Sequence, residues 1–336
     1  MGKSIMSDTL PGRAARRFNI AFAAWCLCFL VAGAAGLATL AATNRLPAPP
    51  ITATNCIDEK FKFLHETTIR EPSLIAVGSS VTWRNLDFSI FEQRYGKAVQ
   101  PLNAAPCFLH VDQTAFLTDF LLDGMPSVKT VLSVFSMRDF QSCPAGGGAF
   151  FKPEDARDYV FGGSDAWHLY FKNFRPNAFL RDVVNLAEMR SGELIDAPLV
   201  MDRYGSGPLK LPEGDIRDNV SVDPACMTHL RAMSDMLARR GIEFVVVLFP
   251  PMPSWIEAYD PGGARDAAFR ADVSRHLNLL NTVLIDTTKG LNLKDSDFTD
   301  HAHLQWSSVP ILTEHVISQM DSTERGFAAG DKNHAL

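Results

Sequence analysis

From Phe18 to Thr43 the chain carries no charged residue, and this apolar run exceeds the roughly 20 residues that an α-helix needs to cross a bilayer. Lys3, Arg13, Arg16 and Arg17 precede it, and only Arg45 follows closely. The positive-inside rule therefore leaves residues 1–17 in the cytoplasm and carries everything after about Pro47 to the other side. A cleaved signal peptide is the alternative, because small residues near Ala38 to Ala42 offer an A-x-A-like site. The run is longer than the h-region of about 7–15 residues typical of such peptides, which favours an uncleaved transmembrane helix over 18–43. Both readings export the remainder. The expected location is a single pass through the cell inner membrane, with the folded part facing the periplasm.

Beyond the membrane segment the composition is that of an ordinary globular chain: 46% of the 336 residues are hydrophobic and 21% charged, enough for one large domain or two small ones. A formal charge of -6 without a basic stripe argues against nucleic acid as a partner. Of six cysteines, Cys26 and Cys28 lie in the apolar run, leaving Cys56, Cys107, Cys143 and Cys226 in the exported part, where disulfides are permitted. Four cysteines allow three pairings, and buried free thiols are the other reading. Their spacing has no metal-ligand pattern, so neither a metal nor a cofactor is expected.

Residues 44–55 hold Pro47, Pro49 and Pro50 and read as an extended linker between membrane and domain. The domain is expected over 56–322, followed by a flexible tail, 323–336. Within it short β-rich runs alternate with helix-like stretches, the pattern of an α/β fold with a mainly parallel central sheet. Strands are predicted over Ser73–Val77, Ala98–Leu102, Val128–Phe135, Ile242–Phe249 and Thr282–Ile285. Helices are predicted over Leu86–Tyr95, Gln113–Leu122, Asn177–Met189 and Ser307–Met320. The third and fourth strands are separated by about a hundred residues, far more than a crossover needs, so 144–225 is an insertion, either a lid or substrate-binding subdomain or a structural cap.

Gly78-Ser79-Ser80 follows the first strand and opens a helix, at the carboxyl edge where open α/β sheets bind ligands. Serine there is also a common N-cap residue with no chemistry. The far end of the chain holds Asp300-His301-Ala302-His303, where a tight turn brings one carboxylate onto one imidazole. A serine hydroxyl needs such a base to take its proton, and an acid to fix the base's tautomer. His301 is the rival base, with a surface or supporting role if His303 faces the serine.

This pair of signatures, in this order, resembles the SGNH (GDSL-type) hydrolase superfamily, with its Gly-Asp-Ser-like first block and its Asp-x-x-His last block. The resemblance covers roughly residues 70–140 and 240–320. It implies a three-layer α/β/α, flavodoxin-like fold, with Ser80 as nucleophile, His303 as general base and Asp300 as the acid that orients it. The middle blocks depart from the family. Asn103-Ala104-Ala105-Pro106-Cys107 stands where a glycine is usual, so Asn103 and a backbone amide such as that of Ala105 are candidates for the oxyanion site. Ser136-Met137-Arg138-Asp139 stands where Gly-x-Asn-Asp is common, so Arg138 either replaces the asparagine as a cationic donor or pairs with Asp139. Cys107 and Cys143, just past neighbouring strand ends, are a candidate disulfide.

By the same resemblance the expected activity is that of an O-acyltransferase or esterase acting on a cell-envelope or exported polysaccharide. A multispanning membrane acyltransferase is an expected partner. The alternative is an inactive scaffold or glycan-binding module in a polysaccharide export system. A small-lipid esterase is a third reading.

Overall fold

A computed structural model of the chain describes residues 10–144, 146–163, 167–193, 199–209 and 219–323. The tail expected to be flexible lies outside them apart from Thr323, as do residues 1–9 of the expected cytoplasmic segment.

Helix α1 (Leu10–Ala42) is continuous, and its portion Ala14–Ala42 is long and apolar enough to cross a membrane, with a mean hydropathy of 2.2. It begins earlier than the uncharged run does, because Ala14, Ala15, Arg16 and Arg17 are all strong helix formers.

The segment after α1 is not an extended stalk. Ala48, Ile51 and Thr52 are buried against α2 (Asn55–Glu66). The Ala48 N–H donates to Glu59 Oε1 (3.0 Å), and the N–H groups of Ile51 and Thr52 donate to Asp58 Oδ1 (3.1 and 2.7 Å). Proline removes amides from this stretch, and two α2 carboxylates satisfy three of those that remain. Burial pushes the Asp58 carboxyl up to about 8, against the pull of these donors and of Arg175. The domain therefore starts at the prolines, several residues before Cys56.

The sheet is built from β1 (Leu74–Ala76), β2 (Leu102–Asn103), β3 (Thr130–Phe135), β4 (Glu243–Leu248) and β5 (Thr282–Asp286), all parallel, in the order β2-β1-β3-β4-β5. Every residue of β1 and β3 is buried, so both faces of the sheet are covered at its centre, as in parallel sheets generally. Two short helices, α3 (Ser80–Arg84) and α4 (Phe88–Tyr95), follow β1, and α5 (Val111–Gly124) follows β2. Strand β2 lies further along than Ala98–Leu102. Lys97–Val99 form a 3-10 turn, Gln100 takes a left-handed conformation, and Pro101 has no N–H to offer a ladder.

The insertion contributes α6 (Pro153–Val160), α7 (Trp167–Lys172) and α8 (Pro176–Ser191). Its return segment lies directly under α3: Gly207 N–H donates to Trp83 O (3.2 Å), and a Cβ at Gly207 would sit 2.6 Å from the Trp83 ring. Structural capping is thus one role of the insertion. Then come α9 (Pro224–Arg239), α10 (Pro253–Tyr259), α11 (Ala264–His276), the antiparallel pair β6 (Phe298–Asp300) and β7 (His303–Leu304), and α12 (Val309–Ser322). Helix α9 packs on α5 and α11, and α12 packs on α4 and β5.

The disulfides are Cys56–Cys107 and Cys143–Cys226, with Cα atoms 6.2 and 5.1 Å apart. Cys107 and Cys143 are not joined to each other. Helix α2 carries Cys56 to the loop after β2, and the first turn of α9 carries Cys226 to the loop after β3. Strand ends alone bring Cys107 and Cys143 near one another, but α2 and α9 each supply a nearer partner.

Candidate active site

Strand β1 delivers a tight turn, Val77-Gly78-Ser79, into α3. Gly78 is required there, because a Cβ would lie 2.0 Å from Thr82 Oγ1. That hydroxyl donates to Val134 O and accepts from Val134 N–H, both at 3.0 Å, in the interior. Ser133 Oγ also donates to Val77 O (2.6 Å). The turn is thereby pinned to β3 at the point where strand order reverses about β1, the usual ligand crevice of an open parallel sheet.

The two serines of the turn have different roles. Ser79 is the N-cap of α3: its Oγ accepts from Val81 N–H (3.1 Å) and donates to Asp139 Oδ1. Ser80 opens the helix, so its own amide is one of the helix-start N–H groups that lack an intrahelical acceptor. Its Oγ lies 2.9 Å from His303 Nε2. On the other side of the ring, His303 Nδ1 lies 2.9 and 2.8 Å from the two Asp300 oxygens. A carboxylate accepts only, so Nδ1 carries the hydrogen, and Nε2 is left as acceptor for the serine hydroxyl. Ser80, His303 and Asp300, more than two hundred positions apart in sequence, form one continuous hydrogen-bonded chain.

Asp300 and His303 are opposed across the β6-β7 hairpin, with Phe298 and Leu304 fully buried beneath. Ala302 N–H donates to Asp300 Oδ1 (2.7 Å) and Thr299 Oγ1 to His303 O (3.1 Å). Burial alone would raise the Asp300 carboxyl. The neighbouring His303 ring, the hydrogen bonds from that ring and from Ala302, and the charge of His301 outweigh it and hold Asp300 down at about 2. It is ionised at any working pH, as the orienting acid of such a chain has to be.

Asn85, which the sequence does not single out, holds the two halves together. Fully buried, it donates from Nδ2 to Val81 O (2.8 Å) and Ala302 O (2.9 Å), and its Oδ1 accepts from Leu304 N–H (2.8 Å). One side chain thus bridges the helix that carries Ser80 and the hairpin that carries Asp300 and His303. Next to it Arg84 is buried with its guanidinium 4.1 Å from the Trp83 ring centroid. Burial lowers Arg84 to about 10, against the attraction of Asp300.

The candidates from the middle blocks fare differently. Asn103 is fully buried and structural: Nδ2 donates to Trp83 O (3.0 Å), and Oδ1 accepts the Ala105 N–H (3.2 Å). The Ala105 amide is committed to that bond and is not turned to an oxyanion. Asp139 does not pair with Arg138. It faces inward, where Ser79 Oγ, Ser136 Oγ and Ser136 N–H donate to it, and burial raises its carboxyl. Arg138, half-buried, has no ion pair or hydrogen bond among the described residues. It lines a small pocket with Ser136, Met252, Trp255 and His301. His301 is occupied differently from His303. Its ring stacks on Trp255, with centroids 6.3 Å apart and planes at 20°. Among the described residues no group of three or more His, Cys, Asp or Glu is placed to hold a metal ion.

No protein-family model matches the chain, and no curated protein matches it.

Proposed function

We propose that the chain is an extracytoplasmic serine acyl-ester enzyme of the SGNH type, held to the inner membrane by α1, with a three-layer domain facing the periplasm. The observation that carries this reading is the unbroken path from Ser80 Oγ through His303 to Asp300. In the reaction, Ser80 Oγ attacks the ester carbonyl while His303 Nε2 takes the hydroxyl proton. Asp300 holds the imidazolium that results. The tetrahedral oxyanion forms near the Ser80 amide at the start of α3. His303 then returns its proton to the departing alkoxide, leaving an acyl-Ser80 ester. In the second half His303 deprotonates an incoming hydroxyl, that oxygen attacks the acyl carbonyl, and Ser80 Oγ leaves with the proton.

The incoming hydroxyl is assigned to a sugar of a cell-envelope or exported polysaccharide, with water as the competing acceptor. A tethered site suits transfer from a membrane-borne acyl donor, including one handed over by a multispanning acyltransferase. The test is labelling of the full chain with a fluorophosphonate probe. Wild-type and Ser79→Ala protein should label and Ser80→Ala should not; equal labelling of wild type and Ser80→Ala would overturn the assignment of the nucleophile.

A second reading, a glycan-binding scaffold without turnover, draws on one observation: the Ala105 amide is occupied and Arg138 bonds to no part of the triad. Loss of one oxyanion donor costs about two to three powers of ten in rate. A wild-type protein that binds polysaccharide but never labels would favour this reading.

A further inference from the structure

Scattered exposed apolar side chains are normal on a soluble surface, but a cluster of them is not. Outside α1, nine large apolar side chains are exposed among the described residues, and five of them fall between 167 and 184: Trp167, Phe171, Phe174, Leu180 and Val184. Helix α7 buries Leu169 and Tyr170 and turns Trp167 and Phe171, one turn apart, outward at 42% and 70% exposure. Phe174 follows at 54%. Helix α8, taken by itself, likewise leaves Leu180 and Val184 exposed a turn apart.

Trp167, Phe171 and Phe174 lie beside residues that bond to the segment following α1. Asn173 Nδ2 donates to Pro50 O (2.9 Å), and Arg175 donates to Thr52 O and to Ala53 O (2.9 Å), with Asp58 3.8 Å away. These acceptors belong to the packed segment that follows α1. Pro50 is eight residues beyond Ala42, where the apolar span ends, so at roughly 3.6 Å per residue the tether allows at most about 29 Å between them. Asn173 and Arg175, which flank the exposed Phe174 ring, thus tie this stretch by hydrogen bonds to the segment that follows the apolar span. Lys172 and Arg175 stand among those rings with 43% of each side chain exposed, and aromatic rings beside cations are the composition that membrane interfaces select.

We infer that Trp167, Phe171 and Phe174 form a second membrane contact, seated in the headgroup region of the outer leaflet of the bilayer that α1 spans. The inference rests on the reading of α1 as an uncleaved anchor. Two attachments, one through the bilayer and one on its surface, restrict the swing of the domain and present its site in a fixed orientation to a membrane-borne donor.

The test uses the full chain reconstituted into phosphatidylcholine–phosphatidylglycerol vesicles whose acyl chains are brominated either close to the headgroup or near the bilayer centre. Trp25 lies inside the span, Trp83 and Trp255 are buried in the domain, and Trp306, which is half-buried, is replaced by phenylalanine in every sample. Quenching by deep bromine that disappears in Trp25→Phe reports the anchor alone. In the Trp25→Phe background, shallow bromine should still quench, and adding Trp167→Phe should abolish that remaining quenching. Equal shallow quenching with and without Trp167 would overturn the surface contact while leaving the anchor intact. Absence of deep quenching of Trp25 would instead remove the reading on which it rests. No Trp167 quenching, together with an oligomer that Phe171→Ser dissolves, would reassign the cluster to self-association and likewise overturn the inference.

Discussion

The most exacting prediction concerns Asn85→Ala. Asn85 has no hydrogen bond to the hydroxyl of Ser80 or to the His303 ring, yet it supplies two hydrogen bonds between the segments that hold them and a third to Val81 O in its own helix. Truncation to alanine leaves Ala302 O and Leu304 N–H without that partner, and both residues are fully buried, where water does not replace it. At about 1–3 kcal/mol for each buried group left unsatisfied, the expected loss of stability is about 4 kcal/mol. Relaxation of the hairpin also carries His303 away from Ser80. A displacement on the order of 1 Å costs roughly a hundredfold in rate, so fluorophosphonate labelling should slow by roughly tenfold to a hundredfold. Urea denaturation of the full chain in detergent micelles, together with labelling kinetics, measures both effects. A stability loss under about 1 kcal/mol with an unchanged labelling rate would show that the two halves of the site are held by something other than this side chain.

Three further outcomes are expected. Asp300 is held at about 2 when folded against 3.8 in the unfolded chain, so its stabilisation is complete above about pH 4 and is lost as pH falls toward 2; the difference is worth about 2 kcal/mol, and Asp300→Asn should flatten that acid limb in a urea-against-pH series. Burial pushes the Lys60 amine well below 10.5, with Arg84 adding to the shift and Asp202 opposing it. Between the folded amine's lowered value and 10.5 the unfolded chain therefore binds a proton that the folded chain has lost, so stability rises with pH across that window by up to about 1.4 kcal/mol per unit, a slope that Lys60→Met should remove. The Cys143–Cys226 bridge closes a separation of 83 residues, so Cys226→Ser should cost about 4 kcal/mol in the same denaturation assay, and thiol titration of the unreduced, unfolded wild type should find only Cys26 and Cys28.

The parts of this molecule that were legible in sequence are those in which one residue's chemistry suffices. Strands β3 and β4 are short runs dominated by β-branched and other apolar residues, and the predicted bounds lie within two residues of the observed ones at either end. The apolar run Phe18–Thr43 announces itself by its length and absence of charge. Ser80, Asp300 and His303, singled out by two short signatures and the family these resemble, do lie within hydrogen-bond reach, Ser80 of His303 and His303 of Asp300. What was hidden depends on pairs. Asn85 is one polar residue among many until the hairpin that accepts its hydrogen bonds is in place. The cysteine partners turn on α2 and α9, whose positions no local pattern gives. Ala105 was misjudged because an amide looks available in sequence until Asn103 Oδ1 is found bonded to it. Residues 44–55 were read as a stalk from their prolines alone, although Asp58 and Glu59, a few positions on, are the acceptors that fold the segment back.

Asp300 and His303 sit opposite each other on a hairpin of seven residues, 298–304, and Ser80 rides on a separate helix pinned to the middle of the sheet. Asp300 and His303 consequently move as one body. A disturbance to that hairpin separates the imidazole from the serine without parting it from its carboxylate, so the intermediate condition of a base that has lost its orienting partner is skipped. Damage or control exerted there should behave as a switch with two positions, whereas the serine, fixed to the sheet's central strands, stays in place through either.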